Sequence, residues 1–121
     1  MKNTAATLKT FFSGFELPAY TLGSVPEQVE LPYITYPVTE PEWRSQGNLY
    51  CQIWYPKNHL SELLTKADEV MAAIGEGIRL DMPGGYLALY LASQQAQLMN
   101  DDWTQSAYIS LLINSYHKPG E

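Results

Sequence analysis

At 121 residues, with a formal charge of −6 and a single cysteine, the chain has room for one hydrophobic core and for little besides. No cluster of Lys and Arg supplies the basic face that grips nucleic-acid phosphates, and Cys51, having no partner for an internal disulfide, suits a reducing cytoplasm. Charged residues make up 17% of the chain, below the roughly 25% usual in soluble domains, so other side chains must cover part of the surface; tyrosine, whose ring is apolar and whose hydroxyl is not, is the best suited.

From the N-terminus, Leu8, Phe11, Phe12 and Phe15 recur at helical spacing and predict a helix over Thr4–Ser13, with Gly14 and Pro18 as stops. Thr7, Lys9 and Thr10 interrupt its apolar residues, so neither a signal-peptide core nor a membrane span is expected. Gly23–Pro32 has loop composition. The stretch "LPYITYPVTEPEWR" then sets a β pattern over Tyr33–Thr39 among three prolines, Pro32, Pro37 and Pro41. Proline has no N–H for a neighbouring strand, so this strand is expected at a sheet edge, open on one side.

"NLYCQIWYP" alternates Leu49, Cys51, Ile53 and Tyr55 against Tyr50, Gln52 and Trp54, a strand with one apolar side, joined to the previous strand as a hairpin through "PEWRSQG". Next, Leu60, Leu63, Leu64, Ala67, Val70, Met71 and Ile74 mark an amphipathic helix with Asn58 as its cap and Gly75 as its end. Ile78–Leu80 and Tyr86–Ala92 flank the turn residues "DMPGG" and predict a second hairpin. "SAYISLLINSY" alternates Ala107, Ile109, Leu111 and Ile113 against Tyr108, Ser110, Leu112 and Asn114, with the length of a central strand. Two helices and about five strands give a single α+β domain over 1–121, a mainly antiparallel β-sheet packed against two α-helices.

Chemistry-bearing residues do not converge. Cys51 falls on the apolar side of a strand, where a thiol is an inert core residue; His59 opens the long helix and His117 lies in the tail. Asp101 and Asp102 read as turn residues. Gly75 and Gly77 follow a helix where a phosphate-binding loop precedes one, and Gly84 and Gly85 lack the lysine and helix of such a loop. Histidine, cysteine and carboxylates never stand at metal-ligand spacing. No catalytic residue, cofactor site or metal site is therefore assigned. The positive feature is an aromatic surplus. With helices on one sheet face, Tyr33, Tyr36, Trp43, Tyr50, Trp54 and Tyr108 are the candidate contacts for another chain.

The order "FFSGFELPAYTLGSVPEQVELPYITYPV", "IWYP", "LSELLTKADEVMAAIGEG", "MPGGYLALYL" and "AYISLLINSY" resembles, over nearly the whole chain, a family of small structural proteins of long-tailed bacteriophages and prophages. These are the tail terminator, tail completion or head–tail joining proteins. The resemblance implies a viral protein without enzymatic activity, placed in the virion tail after assembly in the host cytoplasm. Its partners would be itself, in a ring, as a hexamer; the tail tube protein; and the head connector protein. No membrane is implied, and DNA enters only as cargo passing through a lumen; the net charge of −6 alone suggests an acidic lumen, which reversing Glu27, Glu30, Glu40 and Glu42 to lysine would test. Two other readings stay open on the residues alone: a non-viral cytoplasmic adaptor that dimerises through Tyr50 and Trp54, and a small ligand-binding domain with a pocket near "DMPGG" lined by Asp81, His59 and Arg79.

Overall fold

The structure, a computed structural model, describes residues 1–39, 41, 42 and 44–116. In chain order it runs α1 (Lys2–Phe12), a short 3-10 turn (Ser13–Phe15), β1 (Ala19–Thr21), β2 (Tyr33–Tyr36), β3 (Gln46–Pro56), α2 (Leu60–Ile74), β4 (Ile78–Met82), β5 (Gly85–Leu91), β6 (Gln97–Asn100) and β7 (Thr104–Ser115).

The backbone of the sheet is the antiparallel pair of β3 and β7, in register from Gln46 opposite Asn114 to Pro56 opposite Thr104. Their strict alternation puts Leu49, Cys51 and Ile53 together with Ala107, Ile109, Leu111 and Ile113 on one buried face. The full order is β1-β2-β3-β7-β5-β4, with β6 beside the first half of β7. All pairs are antiparallel except β1 with β2. β5 and β6 flank the same edge of β7 in succession, separated by the irregular stretch 92–96. The expected count of about five strands becomes seven.

Both helices lie on the buried face. α2 presents Leu63, Ala67, Val70 and Ile74, one every turn, to β3, β7 and β5. Burying each of the large ones contributes about 1.5–3 kcal/mol, more than helix propensity can supply. α1 carries Leu8 and Phe12 inward and packs against β1 at one end of the strand order and β4 at the other, so the sheet curls around it. Lys66 Nζ on α2 donates to Phe15 O at 2.7 Å and ties the two helical layers together.

Several expectations need correction. Leu60 and Leu64, read as part of the buried stripe of α2, are exposed. Asn58 does not cap α2: His59 holds the N-cap position without a side-chain cap bond, while Asn58 turns the chain at φ 71°, a region asparagine tolerates better than most residues. Gly75 does end the helix, its N–H donating to Met71 O at 2.8 Å. β2 is not open on one side. The prolines bracket the strand and lie outside it, so its N–H groups are intact; β3 takes one edge and β1 the other, with Ile34 N donating to Pro18 O and Leu22 N to Tyr36 O. The hairpin at "DMPGG" forms as expected, Met82 opposite Gly85, with Gly84 at φ 84° in the position of a Pro-Gly turn that requires a positive φ. Among the described residues no helix is long and apolar enough to cross a membrane.

Candidate functional site

The sheet face away from the helices is lined with aromatic rings, and strand register explains how each arrives there. Tyr33 on β2 stands directly opposite Trp54 on β3, their ring centroids 6.4 Å apart. Tyr20, from β1, meets Tyr33 edge to face at 5.9 Å and 75°. Trp54 Nε1 donates to Thr35 Oγ1 at 2.9 Å, which satisfies its polar atom and ties the indole to β2. Further along, Tyr50 and Tyr108 occupy diagonal positions of β3 and β7 and stack at 4.6 Å and 19°. At the far side Tyr86 and Tyr116 stack at 4.9 Å, and the Arg79 guanidinium lies 4.0 Å above the Tyr86 ring while pairing with Asp81. Tyr90, exposed, covers Gly77, whose missing Cβ would fall 2.6 Å from the ring.

The rings on this face are half-buried, apart from exposed Tyr90. Apart from Tyr90, each packs against at least one other ring. Such a face sets aromatic rings among polar groups, Gln52, Ser106, Ser110 and Asn114, a mixture that suits contact with another chain. Burial, and then the neighbouring Tyr50, raise the pKa of the Tyr108 phenol.

Of the six residues singled out from sequence, Tyr33, Tyr50, Trp54 and Tyr108 come together here. Trp43 lies outside the described residues, as do Glu40 and His117. Tyr36 is elsewhere: it is 1% exposed, stacked on Phe12 at 4.6 Å inside the core, and burial raises its phenol pKa. It is a core residue, not a surface contact. Tyr20, Tyr86, Tyr90 and Tyr116 belong to the face but are not among the six.

The remaining candidates stay apart. Cys51 is fully buried and burial pushes its thiol up to about 12, which leaves no thiolate for chemistry. His59 Nδ1 contacts Glu62 Oε2 at 2.6 Å on the exposed first turn of α2. Asp101 Oδ1 accepts the N–H groups of Trp103 and Thr104 and holds the β6–β7 turn, which keeps its carboxyl below the usual range. Trp103, at the tip of that turn, is 84% exposed. Beside "DMPGG" an open groove of about 430 Å³ runs between α1 and β4, lined by Thr7, Phe11, Arg79 and Asp81 among others; His59 is not part of it. Among the described residues no three of His, Cys, Asp and Glu gather as a metal site.

No family model matches the chain. No curated protein matches it either. Among solved structures, a protein bearing only a serial designation superposes with TM-score 0.66 over 98% of this chain and 96% of its own, at 14% identity. That likeness extends over the whole domain and concerns the fold alone.

Proposed function

We propose that the chain is a structural protein of a long-tailed phage or prophage, one that closes into a ring on the finished tail tube and offers the surface to which the head connector joins. The observation that carries the reading is the aromatic face: rings from β1, β2, β3, β5 and β7 in contact, edge to face, tilted or stacked, on the side of the sheet that no helix among the described residues covers. A repeated contact between copies of one chain uses such a surface well, because preorganised rings lose little freedom on burial. The ordered sequence resemblance over nearly the whole chain supplies the role. In this reading Tyr33, Tyr50, Trp54 and Tyr108 serve contacts between copies or with the tail tube and connector, and the acidic balance keeps passing DNA from adhering.

The test is removal of the gene from the phage or prophage that encodes it, followed by electron microscopy. Tails of uncontrolled length, unattached to heads, are expected; tails of normal length joined to full heads would refute the role. Sedimentation of the purified chain with isolated tail tubes completes it. A ring bound at a tube end is expected, whereas a compact two-fold dimer that ignores tubes would favour an adaptor.

A further inference from the structure

We propose that the open edge of β6, together with the groove between β6 and α2, is a docking site for an extended segment of a different protein, one that carries apolar residues around a central lysine or arginine. The site is distinct from the aromatic face and does not depend on the tail assignment.

β6 hydrogen-bonds to β7 on one side and, among the described residues, to no strand on the other. Alternate residues of a strand turn their N–H and C=O groups to opposite edges, so β6 offers a row of backbone donors and acceptors to whatever lies beside it. Edge strands are usually blunted by charge, proline or a covering helix. Here the strand reads Gln97, Leu98, Met99, Asn100, without a charge or a proline, and all four residues are exposed. Beneath it, on the helix side, lies an open groove of about 380 Å³ in which Leu64, Ala67 and Met71 of α2 face Leu98 and Ala96. Leu64 is 40% exposed and Leu98 45%. Thus an unfilled backbone edge and an unfilled apolar trough run side by side. A strand added to β6 would satisfy the first with its main chain and place every second side chain into the second. A helix laid in the trough would satisfy its own backbone and leave the edge bare.

The charge of the occupant follows from Asp68. It lines the same groove, is exposed, and has no ion-pair partner among the described residues. The other polar lining residues are Gln94 and Gln95, which are neutral. A lysine or arginine set among apolar residues would answer that carboxylate. A second copy of this chain is a poor occupant, since β4 is its only described strand with a lysine or arginine, and that residue, Arg79, is already paired with Asp81 at 2.7 Å and laid over the Tyr86 ring.

The experiment uses the full isotope-labelled chain and two short acetylated peptides that alternate valine and threonine, one with a central lysine and one with glutamate there. On adding the lysine peptide, amide exchange over β6 should slow and the Leu64 and Leu98 methyl signals should shift. The lysine peptide should bind roughly fivefold tighter than the glutamate peptide, the size expected of a solvent-exposed ion pair. Asp68→Lys, a change on an exposed helix position, should reverse that order. Equal affinity of the two peptides, unchanged preference in Asp68→Lys, shifts confined to the aromatic face, or no binding of either peptide at millimolar concentration would each overturn the proposal. Slowed exchange over β6 that rises with protein concentration in the absence of peptide would overturn it in favour of a second copy.

Discussion

Tyr50 and Tyr108 stack at 4.6 Å across β3 and β7 on the sheet face that carries no helix. Stacked aromatic pairs contribute about 0.5–1.5 kcal/mol beyond their burial. A double-mutant cycle with Tyr50→Ala and Tyr108→Ala should therefore show a coupling of about 1 kcal/mol in urea unfolding of the isolated chain. If the face also joins copies, both alanine variants should lower the assembled fraction in sedimentation by more than their loss of stability explains, while Tyr50→Phe keeps the stack and the assembly. Unaltered assembly in the double alanine variant would separate the face from the ring.

Tyr36 behaves differently because its ring lies on Phe12 inside the curl of the sheet. Tyr36→Ala opens a cavity between α1 and β2 and should cost about 3–5 kcal/mol, as aromatic-to-alanine changes in cores do. Trp54→Ala, on the half-buried outer face, should cost clearly less in chemical unfolding of the isolated chain and act chiefly on assembly. A larger loss in Trp54→Ala than in Tyr36→Ala would reverse the two assignments.

The sequence reading groups Tyr36 with the surface rings, although the alternation of β2 already separates it from them. Tyr33 and Tyr36 are three apart in one strand, so period two sends them to opposite faces, and Ile34 beside Tyr36 marks the inner one. β3 and β7 could be read because half-burial forces strict alternation, and the inner face of α2 because its contact with the sheet recurs every turn. Leu60 and Leu64 misled because that side of α2 runs past the sheet towards β6, where nothing among the described residues covers it. β1 and β6 left no local pattern. β1 is three residues whose only order is a parallel pairing with β2, far along the chain, and β6 is exposed on all four residues, so neither shows the apolar alternation that betrays a buried strand. Those two short strands decide what flanks β2 and the first half of β7, and so the aromatic half of the site was readable while its edges were not.

Asp101 offers a pH test of the β6–β7 turn. Its carboxylate accepts the N–H groups of Trp103 and Thr104, which lowers its pKa in the folded chain. The contribution is therefore complete above the unfolded value, about 3.9, and is lost as pH falls through the lower folded value. The stability gap between the natural chain and Asp101→Ala should be full at pH 6 and should close as the pH drops below about 4. Asp101→Asn, which keeps an acceptor but no charge, should show a smaller gap with little pH dependence. A gap in the alanine variant that is constant from pH 6 to about 3 would mean the carboxylate is not the bonded species.

At Gly77, where α2 hands over to β4, the ring of Tyr90 lies close against the backbone. Gly77 has φ 142° and no Cβ, and the Tyr90 ring occupies the space a Cβ would take, 2.6 Å away. Gly77→Ala thus meets two obstacles, a backbone conformation that side chains avoid and the ring itself. The backbone component costs about 1–3 kcal/mol. The ring component depends on whether Tyr90, which is exposed, can swing aside. Comparing Gly77→Ala in the natural chain and in Tyr90→Ala by urea unfolding separates the two. A loss that shrinks in the Tyr90→Ala background, but stays above about 1 kcal/mol, is expected. Equal losses in both would show that the ring yields freely and that glycine is kept at this position for its φ alone.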